Sequence, residues 1–269
     1  MRIGVYLTCQ GKFLSALKDY LPPGTEVFYE ENWVMFAEGR TPTAEWQHLD
    51  YFIYQPIIEP QKPEYADEHI LANHVCSTAT KIRVPYVMFT GLTPWRQYCD
   101  TNLLGTEHRH SWLDAAIADG QDVGLAIQDV MMRSDENAKL NAEHSLAQLR
   151  EKEAGSDVMG LADWISDRYL HEHLFWTPNH PRGSLALEFC NLVLAKMGLP
   201  RAPRSAAYEL DSVLNVERTP LLPGVSASLG IQYRDNVAFF KHDHVRSVES
   251  YLTEYARRLQ SLTEAETAT

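Results

Sequence analysis

Apolar residues along this chain alternate between short continuous runs and helical spacing. Ile3 to Leu7 is one such run, the pattern of a strand covered on both faces, and it stops at Thr8-Cys9-Gln10-Gly11. Phe13, Leu14, Leu17 and Leu21 then recur at spacings of three and four, as on one face of a helix, and Pro22-Pro23-Gly24 ends that pattern. The chain therefore opens as strand, tight turn and helix, with Cys9 at the turn. Glu26 to Phe36 carries Val27-Phe28-Tyr29 and Val34-Met35-Phe36, which read as one or two strand pieces. Asp50 to Gln55 reads as a buried strand stopped by Pro56, and Ile82 to Phe89 as another, with Pro85 inside it. Asp67 to Thr80, between them, reads as helical.

The second half is helical by the same criterion. Glu136 to Lys152 is polar and rich in Ala, Leu, Gln and Glu. Asp157 to Leu170 begins with an N-cap residue. Ser184 to Met197 is apolar almost all round and stops at Gly198-Leu199-Pro200, which places it in the core. Val245, Val248, Leu252, Tyr255 and Leu259 mark an amphipathic C-terminal helix. Leu229 to Phe240 reads as a hairpin turning at Arg234-Asp235-Asn236. Strand–helix alternation followed by helices predicts an α/β fold, with a mostly parallel central sheet flanked by helices and helical additions in the C-terminal half. The expected organisation is a single α/β domain over 1–263 and a disordered tail over 264–269.

Composition adds few constraints. At 269 residues the chain can bury a sizeable core, and 45% apolar with 22% charged residues is ordinary for a globular protein. The net charge of −12 argues against nucleic acid as a partner. That charge is uneven. Glu26 to Glu68 holds ten acidic residues against two basic ones, whereas Lys81 to His110 and His180 to Arg204 are locally basic. Lys81, Arg83, Arg96 and Arg182 in those stretches are candidates for a phosphate-bearing cofactor. No segment predicts a membrane span or a signal peptide, and Cys9, Cys76, Cys99 and Cys190 form no C-x-x-C pair, so a cytoplasmic protein with reduced thiols is expected. His108/His110, His171/His173 and His242/His244 lack any metal-site frame, and on a helix residues two apart do not share a face, so no metal is expected.

Cys9 is the first chemical candidate. A thiol where a strand meets a helix lies at the carboxyl edge of a parallel sheet, and the helix N-terminus favours the thiolate. The alternative is a buried structural cysteine. His180, held between Pro178 and Pro181 just before the apolar helix, has the stiffness a general base needs, or it caps that helix. Gln55, at a strand end, can donate to a developing oxyanion or simply terminate the strand.

These pieces, in order, resemble the WcbI-type family of capsular polysaccharide biosynthesis proteins. The carrying residues are the strand into Thr8-Cys9-Gln10, Asp50 to Pro56 with Gln55-Pro56, the Ile82 to Pro94 segment, and Asn179-His180-Pro181 before the apolar helix. The family's usual start reads Gly-Asn-Cys-Gln, where this chain has Leu7-Thr8-Cys9-Gln10. The resemblance implies a fold akin to SGNH hydrolases and a coenzyme A or acetyl-coenzyme A site. It further implies acyl transfer to a sugar or glycan acceptor in capsule or surface glycan biosynthesis. Cys9 and His180 would be the catalytic pair, with Thr8, Gln10, Gln55 and Asn179 holding oxyanion or substrate. A cysteine-dependent esterase or thioesterase, and a non-catalytic coenzyme A or glycan binder, are the alternatives.

Overall fold

A computed structural model describes residues 1–40, 44–57, 67–98, 104, 106, 108–133, 135, 137–241 and 243–267; Cys99 and His242 lie outside these. The chain groups into two compact units. One comprises Met1–Val87, Ala147–Ile165 and His180–Leu214, the other Met88–Leu146, Ser166–Asn179 and Asn215–Thr269.

The first unit is built on four parallel strands, β1 (Arg2–Leu7), β2 (Glu26–Glu31), β3 (Tyr51–Tyr54) and β4 (Thr80–Arg83), in the order β2-β1-β3-β4. Between and after them run α1 (Lys12–Ala16), α2 (Asn32–Glu38) and α3 (Asp67–Asn73). Side chains alternate across the sheet as the pleat requires. Tyr6, Phe52 and Tyr54 pack with Met35, Trp46, Leu49 and Ile70 on one face. Ile3, Val27 and Ile53 gather with Leu14, Leu17, Leu194 and Met197 on the other. Both faces are covered, which is why β1 reads as an unbroken apolar run.

The remaining helices are α4 (Ser111–Ala118), α5 (Val123–Met132), α6 (Ala138–Ala154), α7 (Leu161–Ser166), α8 (Gly183–Lys196), α9 (Ala206–Asp211), α10 (Pro223–Leu229) and α11 (Val248–Thr267). α8 is the buried central helix its composition predicts, with Leu185, Phe189, Cys190 and Val193 almost fully enclosed. It approaches α9 so closely at Gly183 that a Cβ there would run into the Ala207 carbonyl. Its C-terminal end gathers with residues near the start of β1 and β2, and the Tyr51 hydroxyl at the start of β3 donates to the Met197 carbonyl at 3.1 Å. Its 14 residues rise about 20 Å, the length of a six-residue strand.

Several local expectations change. Val34-Met35-Phe36 is helical: Asn32 and Met35, three apart, are both buried on one side of α2, and tertiary packing overrides strand propensity. The strand expected over Ile82–Phe89 ends at Arg83, two residues before Pro85, which has no N–H for a ladder. Asp157 does not cap α7. Its carboxylate accepts from the Arg83 N–H at 2.7 Å, and buried Glu153 accepts from the N–H groups of Leu161 and Ala162 at 2.6 and 3.1 Å. Asp235 makes no hairpin turn: Val237–Ala238 pairs with Arg246–Ser247 instead. α11 is helical through 264–267, residues the sequence places in a tail.

In the second unit β5 (Arg96–Tyr98) pairs antiparallel with β6 (His108–His110). On a strand, residues two apart do share a face, and both histidines are buried, contrary to the helical reading of that pair. Among the described residues no three His, Cys, Asp or Glu side chains gather as a metal-binding group. His110 stacks on Trp95 at 3.9 Å, and its Nδ1 accepts from the Leu113 N–H, so it caps α4 as a neutral ring. Burial pushes its pKa down to about 3. The folded-state value lies below the ordinary one, so this contribution is complete above pH ~6.5 and is lost as pH falls toward about 3. Between pH 7 and pH ~4 the wild type is expected to lose up to about 3 kcal/mol more stability than His110→Gln, as read by urea unfolding at both pH values.

Candidate functional site

The carboxyl edge of the sheet carries the site. β1 pairs with β2 on one side and β3 on the other, so its end is the point where successive connections leave in opposite directions, the usual place for a ligand crevice. Thr8 stands there, followed by a single tight turn over Cys9–Gly11 and then α1. The helix expected over Phe13–Leu21 is only five residues of α-helix, so the dipole acting on Cys9 is that of a short segment. Cys9 is partly exposed, unlike Cys190, whose thiol burial pushes well above its usual range.

Gln55 holds this turn in place. Its backbone N–H donates to the Tyr6 carbonyl at 3.0 Å, continuing the β1–β3 ladder by one residue. Its Oε1 accepts from both the N–H and the hydroxyl of Thr8, each at 3.0 Å. Its Nε2 donates to Gln10 Oε1 at 3.2 Å and to the Pro85 carbonyl at 3.0 Å. Gln10 in turn grips Val87 from both sides, Nε2 donating to the carbonyl at 2.6 Å and Oε1 accepting from the N–H at 3.2 Å. A primary amide has two donor hydrogens and two acceptor lone pairs. Gln55 therefore has its side-chain capacity fully engaged inside the protein, which makes it a brace for the Cys9 turn and not an open oxyanion donor. Thr8 donates both bonds to Gln55 Oε1 where the related pattern has asparagine; its hydroxyl is the group that closes the contact to Gln55.

Residues outside the sequence reading complete the edge. The Tyr29 hydroxyl shares its single hydrogen between the Thr8 carbonyl at 3.0 Å and Glu31 Oε2 at 3.2 Å. Burial, Glu31 and the negative charge on ionised Cys9 all raise its pKa, so it remains a donor at any physiological pH. Its ring fills the space a Cβ on Gly11 would need. Lys12 Nζ lies 3.3 Å from Glu31 Oε2. Asn32 Nδ2 donates to the Gln55 carbonyl at 3.4 Å. The strand-end rule that singled out Gln55 applies equally to Tyr29 and Glu31, at the end of β2, and would have found them.

His180 is buried, three residues before α8. It belongs to the same unit as Cys9. Asn179 accepts from the Thr177 hydroxyl at 2.8 Å and belongs to the second unit. The four basic candidates separate. Arg182 makes a two-point ion pair with Asp211, at 3.1 and 3.0 Å, and Asp211 also accepts from the Gly183 N–H at 2.9 Å. This pair caps α8. Lys81 Nζ reaches the carbonyls of Cys76, Ser77 and Ala79 in the turn that enters β4, at the opposite edge from Cys9. Arg96 lies in β5 of the second unit. Arg83 closes β4 at the carboxyl edge, and its Nε is buried with no hydrogen-bond partner. It is the one of the four whose position and open valence suit an anionic group. Among the described residues no helix is long and apolar enough to cross a membrane.

A family profile described as "Polysaccharide biosynthesis enzyme WcbI" matches residues 2–202. Among solved structures, one described as WcbI, a polysaccharide biosynthesis enzyme in a native form without a disulfide bond between coenzyme A and a cysteine, is similar in fold. Its TM-score is 0.73 at 18% identity, covering 97% of this chain and 90% of that one. Among curated proteins none matches the chain.

Proposed function

Since this chain belongs to the WcbI family of polysaccharide biosynthesis enzymes, we propose that it transfers an acyl group, acetyl in the simplest case, from coenzyme A to a sugar hydroxyl of a capsule or surface glycan precursor. The observation that carries this reading is the placement of a partly exposed thiol, Cys9, at the switch point of the sheet, in a turn braced by Gln55, Gln10 and Tyr29. In this reading the Cys9 thiolate attacks the thioester carbonyl and forms a tetrahedral oxyanion, which collapses to an acyl-Cys9 thioester as the coenzyme A thiolate leaves. His180 then takes the proton of the acceptor hydroxyl. That oxygen attacks the acyl carbon, and Cys9 leaves as thiolate. Arg83 is the first candidate for a phosphate contact. The related solved structure, described with reference to coenzyme A and a cysteine, supports the choice of donor.

The test of the donor is thermal. Saturating coenzyme A, acetyl-coenzyme A and adenosine 3′,5′-bisphosphate are each expected to raise the melting temperature, and Arg83→Ala to weaken all three responses about tenfold in apparent affinity. No shift with any of them overturns the donor assignment. Fast Cys9-dependent hydrolysis of acetyl-coenzyme A without an acceptor would make the protein a thioesterase instead.

A further inference from the structure

The end of β2 places a carboxylate beside the Cys9 turn. Glu31, the last residue of β2, stands opposite Leu7 in the parallel ladder, and Leu7 is two residues before Cys9. Glu31 Oε2 is 3.2 Å from the Tyr29 hydroxyl, which also reaches the Thr8 carbonyl at 3.0 Å. One hydroxyl therefore separates this carboxylate from the peptide bond that leads into Cys9. Lys12 Nζ, three residues after Cys9, lies 3.3 Å from the same carboxylate oxygen. Tyr29 and Lys12 together fix where the Glu31 charge sits.

The charges gathered here are mostly negative. Glu31 pairs with Lys12, while Glu30 and Glu38 share Arg40 at 3.2 and 2.6 Å, so three carboxylates stand against two cations. The cations are also the more exposed. The Lys12 and Arg40 side chains are each 45% exposed, against 26% for Glu31 and 19% for Glu30, so water and salt screen the positive ends of these pairs more than the negative ones. The Tyr29 hydroxyl, between Glu31 and the Cys9 turn, responds to that balance: burial, Glu31, ionised Cys9 and Glu30 all raise its pKa. Thiol and carboxylate act on one hydroxyl, so they lie within reach of each other's field. Arg83, the candidate for a phosphate contact, closes β4, two strands from β1 on the side away from β2 and about 10 Å across the sheet.

A fixed carboxylate in this place discriminates by charge close to the reacting carbon. Malonyl and succinyl groups carry a carboxylate one or two methylenes from the thioester carbonyl, and like charges that close repel. The phosphates of coenzyme A lie at the far end of the pantetheine arm, beyond the Debye length of about 8 Å, where this repulsion is screened. We infer that Glu31, held by Tyr29 and Lys12, is a specificity-determining residue that keeps acyl groups bearing a carboxylate away from Cys9 and restricts the donor to acyl groups without one. The inference rests on the reading of Cys9 as the residue that takes the acyl group.

The test needs no acceptor. Iodoacetamide is neutral and iodoacetate anionic, and both alkylate the thiolate, so the ratio of their rates at Cys9 reads the surrounding charge whatever the thiol's ionisation. Mass spectrometry of the peptide holding Cys9 follows each reaction on the full chain. Relative to N-acetylcysteine amide, the wild type is expected to disfavour iodoacetate by about tenfold, Glu31→Gln to remove most of that bias and Lys12→Met to deepen it. Molar salt is expected to shrink the wild-type bias, a readout that needs no variant. A wild-type ratio equal to that of the free thiol, or the same ratio in Glu31→Gln as in the wild type, would overturn the inference. Acetyl- and succinyl-coenzyme A carry the same phosphates, so they compare acyl groups alone. The wild type is expected to acylate Cys9 at least about tenfold faster with acetyl than with succinyl, and Glu31→Gln to narrow that gap. Equal rates in the wild type, or an unchanged gap in Glu31→Gln, would also overturn it. If neither thioester acylates Cys9 while the two reagents still discriminate, the acyl-transfer reading falls and charge selection at the thiol stands.

Discussion

Cys9→Ala is expected to lower acetyl transfer from acetyl-coenzyme A by about a thousandfold or more, because the covalent route has no nucleophile without the thiol. His180→Ala is expected to lower it by about 10²–10⁴, the usual share of a positioned general base. If both act on one acyl-enzyme pathway, the double variant is no slower than the worse single one, since groups that work as a unit are not additive. Mass spectrometry of rapidly quenched wild type with acetyl-coenzyme A is expected to show one acetyl group on the peptide holding Cys9, and His180→Ala to accumulate it when the acceptor is present. Near-wild-type transfer by Cys9→Ala would dispose of the covalent route and leave His180 activating the sugar hydroxyl for direct attack.

Gln55→Leu is expected to cost about 3–5 kcal/mol of stability. Gln55 is 2% exposed, and its amide serves the Thr8 N–H, the Thr8 hydroxyl, Gln10 and the Pro85 carbonyl. An apolar replacement strands these groups in the interior, and each buried orphan costs roughly 1–3 kcal/mol before relaxation. The chain end of β1 and the segment after β4 lose their common brace at the same time. Gln55→Glu retains the acceptor for Thr8 but loses both donated bonds and turns a carboxylate toward the Pro85 carbonyl, so a smaller yet clear loss is expected. Urea unfolding measures both. Iodoacetamide labelling of Cys9 in the folded state supplies an independent readout, since a brace for this turn must change the thiol's reaction rate when removed. A loss under about 1 kcal/mol with unchanged labelling would contradict the bracing role.

The legible parts of this protein are those where neighbours in sequence are also neighbours in space. β1, the turn at Cys9 and the buried helix α8 follow from apolar runs, spacing and the stop signals that bound them. The strand-end position of Gln55 was legible too, and its role was not. Whether an amide faces a substrate or a threonine depends on what stands opposite it, and Thr8 is brought there by β1–β3 pairing across 47 residues. The same holds for charge. A locally basic stretch suggested a phosphate pocket. Arg182 is instead tied to Asp211 and Lys81 to three carbonyls, and only Arg83 combines the carboxyl edge with a buried, unpartnered Nε. The hairpin read at Asp235 failed for a related reason. A turn-forming residue in sequence is a buried counter-ion for Arg218 and His173 in space.

By itself the sequence determined the α/β class, the strand–turn–helix that presents Cys9, and the family. These rest on periodicity and on short motifs, which are local properties of the chain. The tertiary structure decided which polar side chains are engaged and which have capacity to spare. Hydrogen-bond valence and charge pairing depend on partners brought together by folding: Thr8 for Gln55 and Asp211 for Arg182.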